Sequence, residues 1–282
     1  MGATMAGTPL TLMAVHAHPD DEATSTGGIL ARYSSEGVRT VLVTCTNGEL
    51  GDAPGGAKPE EDHHDTAAVV EARRRELEES VRILGVRHLE MLGFHDSGMA
   101  GWESNTAPHA FAQIPVETAA APLVALIERY RPQVVVTYDD NGFYGHPDHI
   151  QAHRITVAAL DAAGSDARLY FPQIRRSRLR GFRDNMAAMG VEPPDIDEEN
   201  FGVPDELIAA SVDVRAWAAA KRAAVAAHAS QSENLFFLRF PEEAFVEVFG
   251  VEEFVRARPE AAPGDLETDL FAAVRGEGAL RG

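Results

Sequence analysis

Two short segments carry the residue types that chemistry needs. The first is A-H-P-D-D-E, Ala17 to Glu22; the second is G-H-P-D-H, Gly145 to His149. His18 and Asp21 stand three apart, and a turn begun by Pro19 can aim both side chains at one point. Asp20 lies between them, faces elsewhere and is left free to act as a base. His146 and His149 are also three apart, at what reads as a helix start, so they share a helix face. Pro147 is tolerated there because its missing N–H would have no partner in a first turn. A catalytic zinc takes three protein ligands and keeps one position open. Two donors from the first segment and one from the second satisfy that count. Such a metal lowers the pKa of water and polarises a carbonyl, and a neighbouring carboxylate can take the proton. The parts suit hydrolysis of an amide or ester. His149 and His153, four apart on one helix, form a competing pair in the manner of H-E-x-x-H sites, although Ile150 stands where that glutamate would be.

The elements that must position these segments follow from periodicity. Thr11–Ala17 reads as a buried strand, residues 23–36 as a helix and Val38–Thr46 as a second strand rich in valine and threonine. A long loop covers 47–64, a helix 65–84, a short strand 88–92 and a second long loop 93–113. A helix over 116–130, a V-V-V strand over 133–138 and a helix over 146–163 complete the regular part. Strands alternating with helices predict an α/β fold: a Rossmann-like, mostly parallel sheet with helices on both faces. Ligands in such sheets sit beyond the carboxyl ends of the strands, which is where both histidine segments fall. We expect a catalytic core over 1–165 and a C-terminal elaboration over 166–282, packed on it or merged into one domain. In that second part only 207–214 reads as a strand and 215–229 as a helix. The apolar N-L-F-F-L-R-F, 234–240, is expected to pack on the core.

Composition narrows the class without choosing a function. Acidic residues number 44 and basic ones 25, for a formal charge of −19. That field repels phosphate backbones and anionic membranes, so neither a nucleic acid nor membrane insertion is expected. The only basic stretch, Arg175 to Arg183, reads as a solvated helix face. No apolar run is long enough to span a bilayer, and Met1 to Leu10 lacks the pattern of a secretory leader. The single cysteine, Cys45, sits in an apolar strand as small core filler; one cysteine fits a reducing cytoplasm. A homo-oligomer is compatible with all of this.

Further motifs accompany the two histidine segments: T-C-T-N-G-E (Thr44 to Glu49), R-R-R-E-L (Arg73 to Leu77), D-S-G-M (Asp96 to Met99), Y-D-D-N-G-F-Y-G-H-P-D-H (Tyr138 to His149) and A-A-H-A-S-Q (Ala226 to Gln231). Together they resemble the PIG-L / LmbE-like family of zinc N-deacetylases, nearest to its mycothiol-pathway branch of deacetylases and S-conjugate amidases. The resemblance implies Zn²⁺ on His18, Asp21 and His149, with iron, cobalt or manganese able to occupy the same donors. It implies Asp20 as general base and His146 as a protonated oxyanion-stabilising group, its ring oriented by Asp148. Tyr144 would polarise the substrate carbonyl, and Arg73, Asp96 and, less regularly, Asp52 would bind the sugar. The expected substrate is a small acylated amino sugar or its glycoconjugate, losing an acetyl group. Cleavage of a larger acyl group from a thiol conjugate is the enzymatic alternative; a zinc-stabilised, catalytically silent sugar-binding module is the non-enzymatic one. Arg73 could instead pair with Glu76 or Glu79, Asp96 could cap its own turn, and Trp102 could stack on a sugar or merely pack. The remaining histidines, His228 among them, read as ordinary polar residues.

Overall fold

The structure is a computed structural model that describes residues 9–188, 202–262 and 264–280. Most of Met1–Leu10, on which the leader reading rests, and the final two residues of the tail lie outside them. Seven strands form one sheet in the order β3-β2-β1-β4-β5-β7-β6. They are β1 (Thr11–His16), β2 (Arg39–Thr46), β3 (His88–Phe94), β4 (Val134–Val136), β5 (Arg168–Gln173), β6 (Ala210–Asp213) and β7 (Val251–Arg258). The first five run parallel; β7 pairs antiparallel with both β5 and β6. The expected α/β class, mostly parallel with both faces covered, is what forms.

The central strand shows why. All six residues of β1 are buried, as a strand covered on both faces requires. Leu12 and Ala14 join the core under helix α1 (Asp21–Ser35) and helix α2 (Thr66–Leu84). Met13 and Val15 join a second core, under α3 (Val116–Tyr130) and α5 (Pro147–Ala162). The period of two thus divides one strand between two apolar layers. Helix α2 has clear stops: the Asp65 side chain accepts from the Ala67 and Ala68 N–H groups, and Gly85 turns left-handed at φ 68°, the usual chemistry of helix ends.

Strand order reverses at β1, whose neighbours are β2 and β4. Chains leaving β1 and β4 therefore diverge and open a crevice at their carboxyl ends. One wall is the loop 17–20; the other is the short turn α4 (Gly142–Gly145) leading into α5.

The C-terminal segment contributes more regular structure than its pattern suggests. It adds β5, β6 and β7 to the same sheet, with helix α6 (Arg176–Ala188) and helix α7 (Ala218–Ala227). Residues 234–240 contain a one-turn helix whose phenylalanines pack with Phe182, Phe245 and Phe249 in a small aromatic core. The basic stretch is not a plain solvated face: Arg175 pairs with Glu253 at 2.6 Å, and Arg178 reaches the Val248 and Val251 carbonyls. Among the described residues no helix is long and apolar enough to cross a membrane.

Candidate metal centre

The site grows from the end of β1. The Ala17 N–H donates to the Tyr138 hydroxyl at 2.9 Å, and its carbonyl accepts from Thr46 N–H at 2.8 Å, so the exit is pinned from both neighbouring strands. Asp20 then adopts φ 133°, a positive value rare for a residue with a side chain, at a cost of about 1–3 kcal/mol. Its carbonyl accepts from Ala23 and Thr24 as α1 begins. Its side chain makes no cap bond and is turned instead toward the crevice, where Arg73 Nη2 meets Oδ1 at 3.1 Å and Asn234 Nδ2 donates to Oδ2 at 3.2 Å. Burial pushes the Asp20 carboxyl up to about 6; Arg73 pulls the other way and Asp21 adds to the rise. A carboxylate tuned towards neutrality is suited to moving protons.

Asp21 lies between two histidines. One of its oxygens is 3.4 Å from His18 Nδ1 and the other 3.5 Å from His149 Nε2. His149 Nδ1 lies 3.2 Å from the Gly142 carbonyl; a carbonyl only accepts, so Nδ1 carries the proton and Nε2 is bare. That Nε2 is buried with no hydrogen-bond partner. A bare lone pair facing a carboxylate oxygen across 3.5 Å in a buried pocket is the arrangement a cation between them would stabilise. Gly142 has to be glycine here: its φ is +63°, and a Cβ would meet His149 Cβ and the Ile150 nitrogen at 2.8 Å. Burial holds the His149 imidazole down at about 4, which keeps it neutral as a ligand must be. Burial works against charge on His18, but Asp96, Asp148 and Asp21 together hold it well above the ordinary imidazole range. A field that retains a proton so strongly also favours a metal cation.

Two buried trios bring ligand atoms within 4.8 Å of one another: His18, His146 and His149, and His18, Asp96 and Asp148. The second uses His18 Nε2, which donates to Asp148 Oδ2 at 3.2 Å and faces Asp96 at 3.6 Å. A nitrogen carrying that proton is not a ligand, so this trio reads as the support behind His18: a carboxylate on the outer nitrogen fixes tautomer and ring angle. On the other side of its ring, His18 Nδ1 lies with Asp21 and His149, and His146 is adjacent.

Several sequence expectations need revision. Asp148 does not bind the His146 ring through its carboxylate. That carboxylate accepts from His18 and, at 2.8 Å, from Ser97 N–H, while the Asp148 backbone N–H donates to His146 Nδ1 at 3.1 Å. The cause is local: His146 is the N-cap of α5, so its ring folds over the first-turn amides. Nor is His146 charged; burial and its histidine neighbours drive it far below the imidazole range. It is a neutral ring with Nδ1 accepting, and so an N–H at Nε2. Asp96 is buried beside His18 and turns back to its own Gly98 N–H at 2.8 Å, rather than standing open to a sugar. Arg73 is buried and pairs with neither Glu76 nor Glu79; it donates to the Pro19 and Gly48 carbonyls at 2.6 and 2.9 Å and braces Asp20. Asp52 binds Lys58 and Ser232, tying the first long loop to the C-terminal segment. His153 donates to the Tyr138 carbonyl and packs on Phe171, so the His149–His153 pair does not form. Tyr144 is about half exposed at the mouth, its ring 5.1 Å from His149 and 6.1 Å from His146. Trp102 is partly exposed and lies against Gly98.

Sequence reasoning missed Tyr138. Its ring stacks on His149 at 4.1 Å and 12°, and its hydroxyl accepts from Ala17 and feels the Asp21 carboxylate. The signal was available, since Tyr138 ends a strand 11 residues before a candidate ligand.

A family model described as GlcNAc-PI de-N-acetylase, PIG-L, matches residues 13–160, which span both histidine segments. The chain belongs to this family. A relative from Geodermatophilus obscurus, 1D-myo-inositol 2-acetamido-2-deoxy-alpha-D-glucopyranoside deacetylase, is 41% identical over 94% of this chain and 98% of its own. Among solved structures, the N,N'-diacetylchitobiose deacetylase of Pyrococcus horikoshii matches with a TM-score of 0.55 and 18% identity, over 88% of this chain and 84% of that one. A 4-carboxy-2-hydroxymuconate hydratase from Pseudomonas putida matches with a TM-score of 0.62 and 17% identity, over 90% and 99%. At such identities the likeness is one of fold. A hydratase and a deacetylase share it, so function has to be read from the site.

Proposed function

We propose that the chain hydrolyses the N-acetyl group of an amino-sugar glycoside, with N-acetylglucosaminyl-inositol, the substrate named for its 41% identical relative, as the first candidate. The enzyme is a metal-dependent N-deacetylase. The observation that carries the reading is the bare, buried His149 Nε2 facing Asp21 and His18, with Asp20 beside them. His18, Asp21 and His149 would hold the metal, and zinc suits this mixture of imidazole and carboxylate. When bound there, it would polarise the acyl carbonyl and acidify water.

The chain's own groups divide the remaining work. Asp20, with a carboxyl near neutrality, accepts the proton of the attacking water. The neutral His146 offers its Nε2–H to the carbonyl oxygen as charge develops there, and the amino end of α5 adds its dipole. Tyr144, at the mouth, offers a second donor. Asp20 then returns its proton to the nitrogen as the C–N bond breaks, giving acetate and a free amine. Tyr138 and Asp148 hold the ligands in place.

The test is primary-amine release from N-acetylglucosaminyl-inositol, simple N-acetylglucosamine glycosides and a mycothiol-type S-conjugate, with and without a chelator. Chelator-sensitive release from the first, restored by Zn²⁺, is expected. Preference for the conjugate would favour the larger-acyl amidase, and no release from any member by folded, metal-loaded protein would overturn the reading.

A further inference from the structure

Glu22 and His228 are both fully buried and lie 206 positions apart in sequence. Neither belongs to the groups able to hold a metal, yet they meet directly behind Asp20. Glu22 Oε2 accepts the Asp20 backbone N–H at 3.0 Å. Glu22 Oε1 accepts from His228 Nε2 at 2.7 Å and from the Ser80 hydroxyl. Each oxygen of this buried carboxylate therefore has a donor, as burial demands, and the N–H it holds belongs to the one residue of the loop with positive φ.

We infer that Glu22, locked by His228 and Ser80, is the positioning group for Asp20. A residue with a side chain leaves φ 133° unless its neighbours over-determine it. At Asp20 the carbonyl is engaged by the first turn of α1, and the N–H by Glu22. Release of the N–H frees the peptide to rotate, and the carboxylate moves with it. The same C-terminal segment supplies Asn234, which holds Asp20 Oδ2. The tail thus sets both the backbone and the side chain of a residue in the first loop, which gives A-A-H-A-S-Q a physical role. His228 and Glu22 touch no substrate; they act through Asp20.

The inference rests on Asp20 being the base, and the test separates the two. In metal-loaded full-length protein, His228→Ala should lower kcat by about 10–100-fold, the scale of a small misplacement of a reacting group. KM, metal content and the folded state should be little changed. His228→Gln, whose side-chain amide can still donate to Glu22, should recover most of the rate. In an Asp20→Asn background, adding His228→Ala should change nothing further. If His228→Ala does not fold, Ser80→Ala removes the other donor to the same oxygen and is read by the same cycle. A folded variant with normal kcat, or losses that multiply in the double variant, would overturn the positioning role while leaving Asp20 as base. Near-normal turnover by Asp20→Asn alone would overturn both.

Discussion

Tyr138→Phe removes one oxygen and leaves the ring that stacks on His149. In the structure that oxygen accepts the Ala17 N–H at 2.9 Å, and the Asp21 carboxylate acts on the hydroxyl electrostatically. Burial holds the phenol well above its ordinary range, so it stays protonated and able to donate. Ala17 is fully buried, so its N–H gains no water when the hydroxyl goes. An orphaned buried N–H costs about 1–3 kcal/mol, which corresponds to a fall of roughly 2–10 °C in Tm for a chain of this size. Asp21, held by the His18 backbone N–H at 2.7 Å, also loses the neighbouring phenol that supports it between His18 and His149. Loss of such support weakens metal binding by about 10–100-fold. Competition with a chromogenic chelator reads the second effect, and thermal unfolding of metal-free protein reads the first. A lowered Tm with metal affinity within about twofold of wild type would refute the reasoning, because Tyr138 would then be packing alone.

Asp148→Asn should release metal by about 10–100-fold in affinity, since its carboxylate holds the outer nitrogen of His18; unchanged metal content with a low rate would return Asp148 to the service of His146. The pH dependence follows from Asp20. Only its ionised form accepts a proton, and burial places the carboxyl at about 6, so kcat/KM should fall tenfold per pH unit below that point. A bound dication draws the limb lower, and an acid limb centred above pH 7 would contradict the assignment.

The histidine loops were legible because their logic is local. H-P-D-D follows β1 directly and H-P-D-H opens α5 beyond the end of β4, and short spacing groups the side chains within each segment. Longer-range structure was less visible. β5 contains Pro172, which reads as a break. β7 reads V-E-E-F-V-R-A-R, too charged for a buried strand. Its two glutamates are buried all the same: Glu252 accepts from Lys221 and the Gly28 and Ile29 N–H groups, and Glu253 pairs with Arg175. None of those partners is near in sequence. The supporting contacts failed for the same reason. Arg73, Asp96 and Asp52 carry no spacing signal for their partners, because Pro19 and Gly48, His18, and Ser232 lie on other segments. His228 carried no spacing signal because its partner is Glu22.

Asp20→Asn, assayed together for metal content and for amine release, bears most directly on the claim that a metal-holding set and a separate base share this crevice. The substitution keeps the shape of the side chain and removes its capacity to accept a proton. Full metal content with kcat lowered by about 10²–10⁴-fold is expected. Near-normal turnover at full metal content, or loss of the metal itself, would contradict it.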